Sequence, residues 1–366
     1  MTTPTTAVTK PALLFVPDIS GFTQFVQATE ITHSRHIIEE LLEKLIAAND
    51  IGLHVSEVEG DAILFYRFGY PPTAEEFFKQ VQKMFVSFHS HLRLYETQRI
   101  CQCGACISAQ NLTLKIVAHY GHITQSHIKD HVKLFGQDVI TVHRLLKNDI
   151  PHHEYALFTQ TLVNEWPVAI SPAWAEREEG SQEYDVGRIN YSYVPLVQLR
   201  QLVPEPRVED FRIPGVTMQV FSFEQEVHAP LSLVFETASD LPARLQWMHG
   251  AKEVEMLNHQ VNRLGTKHRC IVDKNSPVMV TSGSTRAADT ITLIETDEKK
   301  TVCTVYTFRQ ESETQTRVRI DGFVKDNLVL RILFTLLFKK KLRNMFQASG
   351  EKLKHYCEKL YNEQRT

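Results

Sequence analysis

Two short acidic motifs constrain this chain more than any other feature of its sequence. The first is Phe15-Val-Pro-Asp-Ile-Ser-Gly-Phe-Thr23, and the second is Val58-Glu-Gly-Asp-Ala62. Each places an aspartate, Asp18 or Asp61, beside an apolar run that is typical of a buried strand. Carboxylates presented from neighbouring strand ends suit a hard cation such as Mg²⁺, which prefers oxygen ligands and shares them with phosphates. The two motifs together predict a metal–nucleotide site.

The length and composition favour a two-domain cytoplasmic protein. The chain has 366 residues, and single cores rarely grow beyond about 250–300 residues. Its net charge of −3 gives no reason to expect a nucleic-acid partner. Residues 1–10 lack an apolar signal region, so we expect a disordered lead-in there and reduced thiols at the six cysteines. The longest apolar run, residues 328–338, contains Arg331 and is shorter than the ~20 residues of a membrane span.

Strand and helix patterns alternate through the first domain. Apolar residues at three- and four-residue spacing predict a helix over residues 20–49, after a strand at residues 12–16. A hairpin turning at Glu59-Gly60, a helix opening at Pro71, a strand at residues 112–120, a helix after Gly136 and a strand pair at residues 184–196 follow. This order predicts an α/β sandwich with its helices on one face of a sheet.

A linker divides the chain after residue 200. Residues 202–215 contain three prolines and no periodic pattern, so we place the linker at residues 201–216. The first domain then spans residues 11–200 and the second spans residues 217–362. In the second domain we expect a strand at residues 218–227, a short helix at residues 230–239, further strands to residue 320 and a long helix at residues 328–358.

Four motifs in the first domain occur in the order found in one enzyme family. They are Phe15-x-x-Asp-Ile-Ser-Gly-Phe-Thr23, Glu57-x-x-Gly-Asp61, His119-Tyr-Gly121 and Leu134-Phe-Gly136-x-x-Val139-x-x-x-x-Arg144. The first ~195 residues therefore resemble the class III nucleotidyl cyclase homology domain, the catalytic module of adenylate and guanylate cyclases. The resemblance implies an α+β fold, the ferredoxin-like or palm-type sandwich of that family.

The resemblance implies a two-metal site. Asp18 and Asp61, with the backbone of Ile19, would hold two Mg²⁺ or Mn²⁺ ions. Backbone amides of residues 19–22 would cradle phosphate oxygens at a helix N-terminus. The nucleotide-binding residues implied in this motif are Gly21, Phe22 and Thr23. The alternative is that Asp18 is an N-cap and Asp61 a turn residue.

The resemblance also assigns transition-state residues, with one departure. Arg144 matches the arginine that neutralises charge on the pentavalent phosphorus; the alternative is a solvated surface arginine. Ile140, one turn earlier, stands where the family usually has an asparagine that orients the ribose. Losing such a polar contact typically costs on the order of 10²–10³ in rate. The substitution slows the enzyme, shifts the task to His143, or marks an inactive domain.

Two positions bear on the choice of base. Glu57 stands at the lysine position of adenylate cyclases, and Lys133 stands at their aspartate position. A carboxylate can accept from guanine N1–H and N2–H₂, and an ammonium can donate to O6, so the pair suits guanine. The alternative is that the two side chains pair with each other. For the family's triphosphate-binding lysine the nearest candidate is Arg188, and family sites form between two chains, which implies a homodimer.

Three cysteines lie close together in Cys101-Gln-Cys103-Gly-Ala-Cys106. Thiolates suit zinc or an iron–sulfur centre, and His89 or His91 offers a fourth ligand. Tetrahedral zinc sites usually pair two such half-sites, however, and a second Cys-x-x-Cys does not occur in the sequence. We favour packing cysteines, with zinc or a redox-sensitive trio as the alternatives.

The second domain resembles the START-like (SRPBCC) helix-grip superfamily. The motifs are Phe221-Ser-Phe-Glu-Gln-Glu-Val-His-Ala-Pro230, Asp240-Leu-Pro, Trp247 and the long terminal helix. The resemblance implies a curved antiparallel sheet around that helix and an apolar cavity for a small hydrophobic ligand. Trp247, Met248 and Phe308 are the predicted lining residues, with ordinary core packing as the alternative. Residues 328–343 are interpreted as a helix face against the sheet, with an interfacial membrane helix as the alternative.

These features predict a two-domain signalling protein. A cyclase-like domain would convert a nucleoside triphosphate, GTP by preference, into its 3′,5′-cyclic monophosphate and pyrophosphate, while the second domain binds an apolar ligand. The alternative is a catalytically inactive nucleotide or ligand sensor that retains the cyclase fold.

Overall fold

The computed structural model of the chain describes residues 9–27, 31–129, 131–166, 171–207, 209–215, 217–326 and 339–365. Its contacts divide into two compact units. The first unit consists of Met1–Glu96 and Ile107–Pro206, and the second consists of Thr97–Cys106 and Arg207–Thr366.

Eight strands and six helices occur among the described residues up to Pro206. The strands are β1 (Lys10–Ser20), β2 (His54–Glu59), β3 (Ala62–Phe68), β4 (Thr113–Ile128), β5 (His131–Phe135), β6 (Tyr155–Thr159), β7 (Glu178–Tyr184) and β8 (Gly187–Pro195). The helices are α1 (Phe22–Gln27), α2 (Ile31–Ala47), α3 (Ala74–Gln98), α4 (Gly104–Ser108), α5 (Gln137–Leu145) and α6 (Gln160–Val163). Helix α3 ends, and α4 begins, in the Thr97–Cys106 segment of the second unit. Short 3₁₀ turns occur at Ala109–Asn111 and Val197–Leu202.

All eight strands join one mixed sheet. Its order is β2-β3-β1-β4-β6-β8-β7, and β5 pairs with the outer part of β4. The β4–β6 pair is parallel and the other pairs are antiparallel. The long central β1 lies between β3 and β4, and pairing puts Asp18 opposite Ala62 on one side and Lys115 on the other. The β1–β3 pairing thus brings the two acidic motifs to the same end of these strands.

Alternation along β1 separates two apolar faces. Phe15 packs edge-on against Phe77 of α3, which also contacts Phe158 of β6. Leu14 faces the other way, into a cluster with Val142 and Leu145 of α5. We predicted that all helices lie on one face of the sheet. This is wrong for α5, whose apolar side covers the face opposite α3.

The second unit contains one antiparallel sheet. Its strands are β9 (Thr217–Val227), β10 (Glu253–Met256), β11 (Lys267–Ile271), β12 (Met279–Arg286), β13 (Thr290–Asp297), β14 (Val302–Ser312) and β15 (Gln315–Lys325). Their order in the sheet is β10-β11-β12-β13-β14-β15-β9. The helices are α7 (Leu231–Ser239), α8 (Arg244–Trp247) and α9 (Lys339–Glu363).

Helix α9 packs closely on β9. Phe346 stacks on Phe221 with 4.6 Å between the ring centroids. A Cβ added at Gly350 would stand 2.1 Å from the Phe223 ring, so glycine is required for this close approach. The described helix begins at Lys339, and the predicted residues 328–338 lie outside the described part of the chain.

A short segment between α3 and β4 belongs to the second unit. The backbones of Arg99 and Arg263 form an isolated antiparallel bridge, and the Ile100 side chain is buried in the second unit's apolar cluster. This differs from the prediction, which assigned residues 11–200 to one domain. The unit boundary after Pro206 lies within the predicted linker.

Among the described residues, no helix has both the length and the apolar character required to cross a membrane.

Candidate functional site

Asp18 and Asp61 come together at the end of the β1–β3 pair. Asp61 lies in the tight turn between β2 and β3, where Gly60 has a φ of +62° that suits the first position of a type II′ turn. Burial, and next the Asp18 carboxylate, raise the pKa of Asp61. Asp18 stands opposite Ala62 in the β1–β3 register, so the two aspartates lie at the same strand end, and a bound cation would relieve the repulsion between their carboxylates. Their oxygen donors fit a hard divalent ion.

A lysine on the neighbouring strand lies against this acidic pair. Lys115 stands directly opposite Asp18 in the β1–β4 pairing, and its Nζ lies 3.0 Å from Asp18 Oδ2. The same ammonium donates a 3.1 Å hydrogen bond to the carbonyl of Leu146. Asp18 is only 8% exposed, so this ion pair is largely shielded from solvent. The site carries a built-in positive charge that the motifs did not predict.

The backbone after Asp18 is partly committed to the sheet. The amide of Ile19 donates a 2.9 Å hydrogen bond to the carbonyl of Asp61. The prediction that the amides of residues 19–22 bind phosphate is therefore wrong for Ile19, because its amide already donates to Asp61 within the β1–β3 contact. Gly21 has a φ of +88° and directly precedes α1, in which Phe22 is half-buried and Thr23 is exposed.

The two predicted base-reading residues lie side by side. Lys133 of β5 has its Nζ 3.6 Å from Oε2 of Glu57 in β2. This is the mutual pairing that the sequence left open as an alternative, and both side chains remain partly exposed. His143 immediately precedes Arg144 on α5. Its Nδ1 lies 3.8 Å from Oε2 of Glu59.

Arg144 is held by an aspartate in the β7–β8 turn. Its Nε and Nη2 donate to the two carboxylate oxygens of Asp185 at 2.9 and 2.7 Å. Ile140, one turn earlier on α5, is 49% exposed and offers no polar group. Arg188, on β8, donates to Ser181 Oγ at 2.7 Å and is exposed. The roles of these residues toward phosphate remain predictions.

The His119-Tyr-Gly121 motif anchors helix α5. Asp138, in the first turn of α5, accepts hydrogen bonds from His119 Nε2 at 2.8 Å and from the His122 amide at 2.7 Å. A Cβ at Gly121 would stand 2.3 Å from the Asp138 carboxyl carbon. Glycine is required here because the carboxyl is fixed by two donors, which gives the motif a structural role.

The predicted lining residues of the second unit lie in its apolar cluster. Trp247 and Phe308 are fully buried, and Phe308 packs edge-on against Phe235 with 5.6 Å between the ring centroids. Met248 is half-buried at the same cluster. Ligand binding by these residues remains a prediction.

An ion pair lies inside the second unit beside these aromatic rings. Arg244 Nη1 lies 3.0 Å from Glu295 Oε2 and 3.0 Å from His268 Nε2. Burial lowers the pKa of His268 to about 4, so this histidine is neutral at pH 7 and accepts from the guanidinium. Nothing in the sequence pattern had identified this group.

The cysteine motif also belongs to the second unit. The sulfur atoms of Cys101, Cys103 and Cys106 all lie within 4.8 Å of one another. The two histidines suggested as a fourth ligand have carboxylate partners, since His89 Nε2 lies 2.6 Å from Glu154 and His91 Nε2 lies 2.7 Å from Glu40.

Lys115 and Asp185 are the site residues that sequence reasoning missed. A lysine between Leu114 and Ile116 carries one signal, because it places a charge within an apolar strand pattern. Its partner could not be read from the sequence, since Asp18 is distant along the chain. Asp185 occupies an ordinary turn position and gives no signal.

Comparisons with known proteins match parts of this chain. The family model described as "Protein of unknown function (DUF2652)" matches residues 38–155. The chain is similar to the Uncharacterized protein Rv2561/Rv2562 of Mycobacterium tuberculosis (strain ATCC 25618 / H37Rv), with 34% identity over 123 residues. That match covers 34% of this chain and 57% of the relative, so the chain spans little more than half of the relative's length.

Solved structures similar to the chain include adenylyl and guanylyl cyclase domains. The catalytic core of a rhodopsin-guanylyl cyclase in complex with ATPalphaS is 15% identical, with a TM-score of 0.36 over 51% of this chain and 96% of that one. A bacterial light-regulated adenylyl cyclase is 15% identical, with a TM-score of 0.39 over 54% and 57%. The guanylyl cyclase Cya2 is 14% identical, with a TM-score of 0.36 over 51% and 93%. TM-scores this low do not establish the chemistry of the site, which depends on its own geometry.

Proposed function

We propose that the first unit binds a nucleoside triphosphate through a divalent cation held at Asp18 and Asp61. It converts the triphosphate, GTP by preference, into the 3′,5′-cyclic monophosphate and pyrophosphate. The observation that carries this proposal is the pairing of β1 with β3, which sets Asp18 opposite Ala62 and binds the Ile19 amide to the Asp61 carbonyl, so that both aspartates lie at one strand end. Burial, and next the Asp18 carboxylate, raise the pKa of Asp61 there. A bound Mg²⁺ or Mn²⁺ would activate the ribose hydroxyl and neutralise phosphate charge.

The residues around the acidic pair divide the remaining tasks. Glu57 and Lys133 lie side by side on β2 and β5, and together they present the acceptor and donor that a guanine edge requires. Arg144 would supply positive charge to the transferring phosphorus after it leaves Asp185, in a homodimer in which the partner chain completes the site. The exposed position of the Arg144–Asp185 pair supports such an exchange, because exposed ion pairs contribute little stability.

A second candidate function is a nucleotide sensor without catalysis. Three observations favour it: the two-point Arg144–Asp185 pair, the apolar Ile140 and the Lys115 ammonium against Asp18. Arg144 and Asp18 are each occupied by an ion-pair partner, and Ile140 lacks the polar group that would orient the ribose for cyclisation. Nucleotide binding could survive all three.

For the second unit we propose a START-like helix-grip module that binds a small apolar ligand. Its seven-stranded antiparallel sheet and the terminal helix α9 packed on β9 support this proposal. Trp247, Met248 and Phe308 would contact the ligand.

One assay separates the two functions of the first unit. The purified chain is incubated with Mn²⁺ or Mg²⁺ and each of the four nucleoside triphosphates, and both cyclic nucleotide and pyrophosphate are measured. We expect product from GTP above the others, and a loss of about 100-fold or more in Asp18→Asn and Asp61→Asn, because each removes a charged metal ligand. Asp50→Asn, at an exposed aspartate paired with Lys83, serves as the matched control.

The outcomes are distinct. Triphosphate binding without product supports the sensor. Product that persists in both site variants excludes the proposed site, and a chain that neither binds nor converts any triphosphate excludes both functions.

A further inference from the structure

The cysteine cluster of the second unit has the spacing of a metal site. Its three sulfur atoms come from one segment of six residues and all lie within 4.8 Å of one another. In a tetrahedral zinc–thiolate site the zinc–sulfur distance is about 2.3 Å, which separates the sulfurs by about 3.8 Å. Cys101, Cys103 and Cys106 therefore need to close by about 1 Å at most to reach coordination distance.

One backbone amide donates to a sulfur of this cluster. The amide of Cys103 donates a 3.4 Å hydrogen bond to the sulfur of Cys101. Such a donor stabilises a thiolate more than a thiol, because hydrogen bonds to ionised acceptors are the stronger ones. Cys101 and Cys106 are buried and Cys103 is half-buried, so the cluster is largely shielded from solvent.

Convergence distinguishes this cluster from cysteines that only pack. A buried cysteine behaves as a small apolar side chain and needs apolar neighbours rather than other sulfurs. The remaining cysteines of the second unit, Cys270, Cys303 and Cys357, are spread over β11, β14 and α9. Among the described cysteines, only those of the 101–106 segment belong to such a group.

We propose that Cys101, Cys103 and Cys106 bind one soft divalent cation, zinc, as three thiolates. Sulfur ligands select soft and borderline cations over Mg²⁺ or Ca²⁺. Binding forms three zinc–sulfur bonds and releases the thiol protons to solvent, with no electron transfer.

The bound ion would stabilise the Thr97–Cys106 segment. This segment contributes Ile100 to the core of the second unit, and its backbone pairs with residue 263. Cross-linking the segment at three points would restrict its motion in the folded state.

The test uses the full chain, freed of metal with a chelator and kept reduced by a phosphine. Co²⁺ is titrated as a spectroscopic probe, and Zn²⁺ is then added. We expect one Co²⁺ per chain with a thiolate-to-cobalt charge-transfer band, and loss of that band when Zn²⁺ displaces the probe. Cys103→Ser should weaken Co²⁺ binding by about 100-fold or more, because one of three ligands is lost.

Cys303→Ser, at a half-buried cysteine of β14, is the matched control and should bind as the parent chain does. Thermal unfolding of each variant without metal shows whether it is folded, and added Zn²⁺ should raise the unfolding temperature of the parent but not of Cys103→Ser. A reduced parent chain that gives no charge-transfer band overturns the proposal. Binding of Cu⁺ without Co²⁺ or Zn²⁺ overturns the assignment to zinc.

Discussion

Lys115 changes the charge of the acidic site by one unit. Its ammonium lies 3.0 Å from Asp18 and faces the same edge of the sheet as Asp61. With two carboxylates and one ammonium, the cluster carries a net charge of about −1 rather than −2. A fixed cation near the metal position competes electrostatically with a divalent ion, so Lys115 lowers the affinity of the site for metal.

We expect Lys115→Met to tighten Mn²⁺ binding by about tenfold, equal to about 1.4 kcal/mol. The substitution removes the competing charge while preserving much of the side-chain volume. Mn²⁺ titration followed by electron paramagnetic resonance measures the dissociation constant. Lys83→Met removes an exposed lysine from α3 and is the matched control.

Weaker Mn²⁺ binding in Lys115→Met would contradict this role. It would show instead that the ammonium holds Asp18 in the orientation that the metal requires. Chemical denaturation of the same variant distinguishes that result from unfolding, because Asp18 also loses its buried partner.

Helix α5 is positioned through its first turn. The Asp138 carboxylate bonds to His119 Nε2 and to the His122 amide, and it occupies the space that a side chain at Gly121 would need. The other end of α5 leads to Leu146, whose carbonyl accepts from Lys115. The helix therefore links the glycine motif of β4 to the acidic site, and Arg144 is in its last turn.

We expect Gly121→Ala to destabilise the first unit by about 1–3 kcal/mol, because the added methyl forces the Asp138 carboxylate away from its two donors. Urea denaturation measures the loss. In the double variant with Asp138→Ala the cost should be smaller than the sum of the two single costs, since both changes break the same contacts. Additive costs would show that the close approach has no energetic consequence.

The two units are not consecutive in the chain. Thr97–Cys106 leaves the first unit, joins the second, and the chain then returns to form β4. Ile100 is 2% exposed in the apolar cluster that includes Phe235 and Ile291. A truncation at the 201–216 linker would therefore leave the second unit without part of its core.

We expect Ile100→Ala to destabilise the second unit by about 2–5 kcal/mol, through the cavity left in its core. Hydrogen exchange followed by mass spectrometry should show faster exchange in β13, β14 and β15, with β1 and β3 unchanged. Leu13→Ala, at a buried position of β1, should give the reverse pattern. Equal acceleration in both units after Ile100→Ala would contradict the assignment of this segment.

Local pattern was enough to anticipate most elements and the acidic pair. Apolar spacing predicts the helices that the structure describes as α2 and α5, and the proline and acidic residues after Pro71 predict α3. The Glu59-Gly60 hairpin places Asp61 beside the end of β1. The strands of the second unit were likewise expected from local pattern, while their antiparallel sheet was implied by the START-like resemblance. These features depend on neighbours a few residues apart, and the sequence displays such neighbours directly.

Contacts between distant positions were decided by the tertiary structure alone. Lys115 reaches Asp18 only because β4 pairs with β1 in one register, and a shift of one residue would turn it to the opposite face. The Arg144–Asp185 pair and the transfer of Ile100 to the second unit depend in the same way on folding of the whole chain. Motif spacing identifies which groups can do the chemistry, whereas register and packing determine which charges surround them.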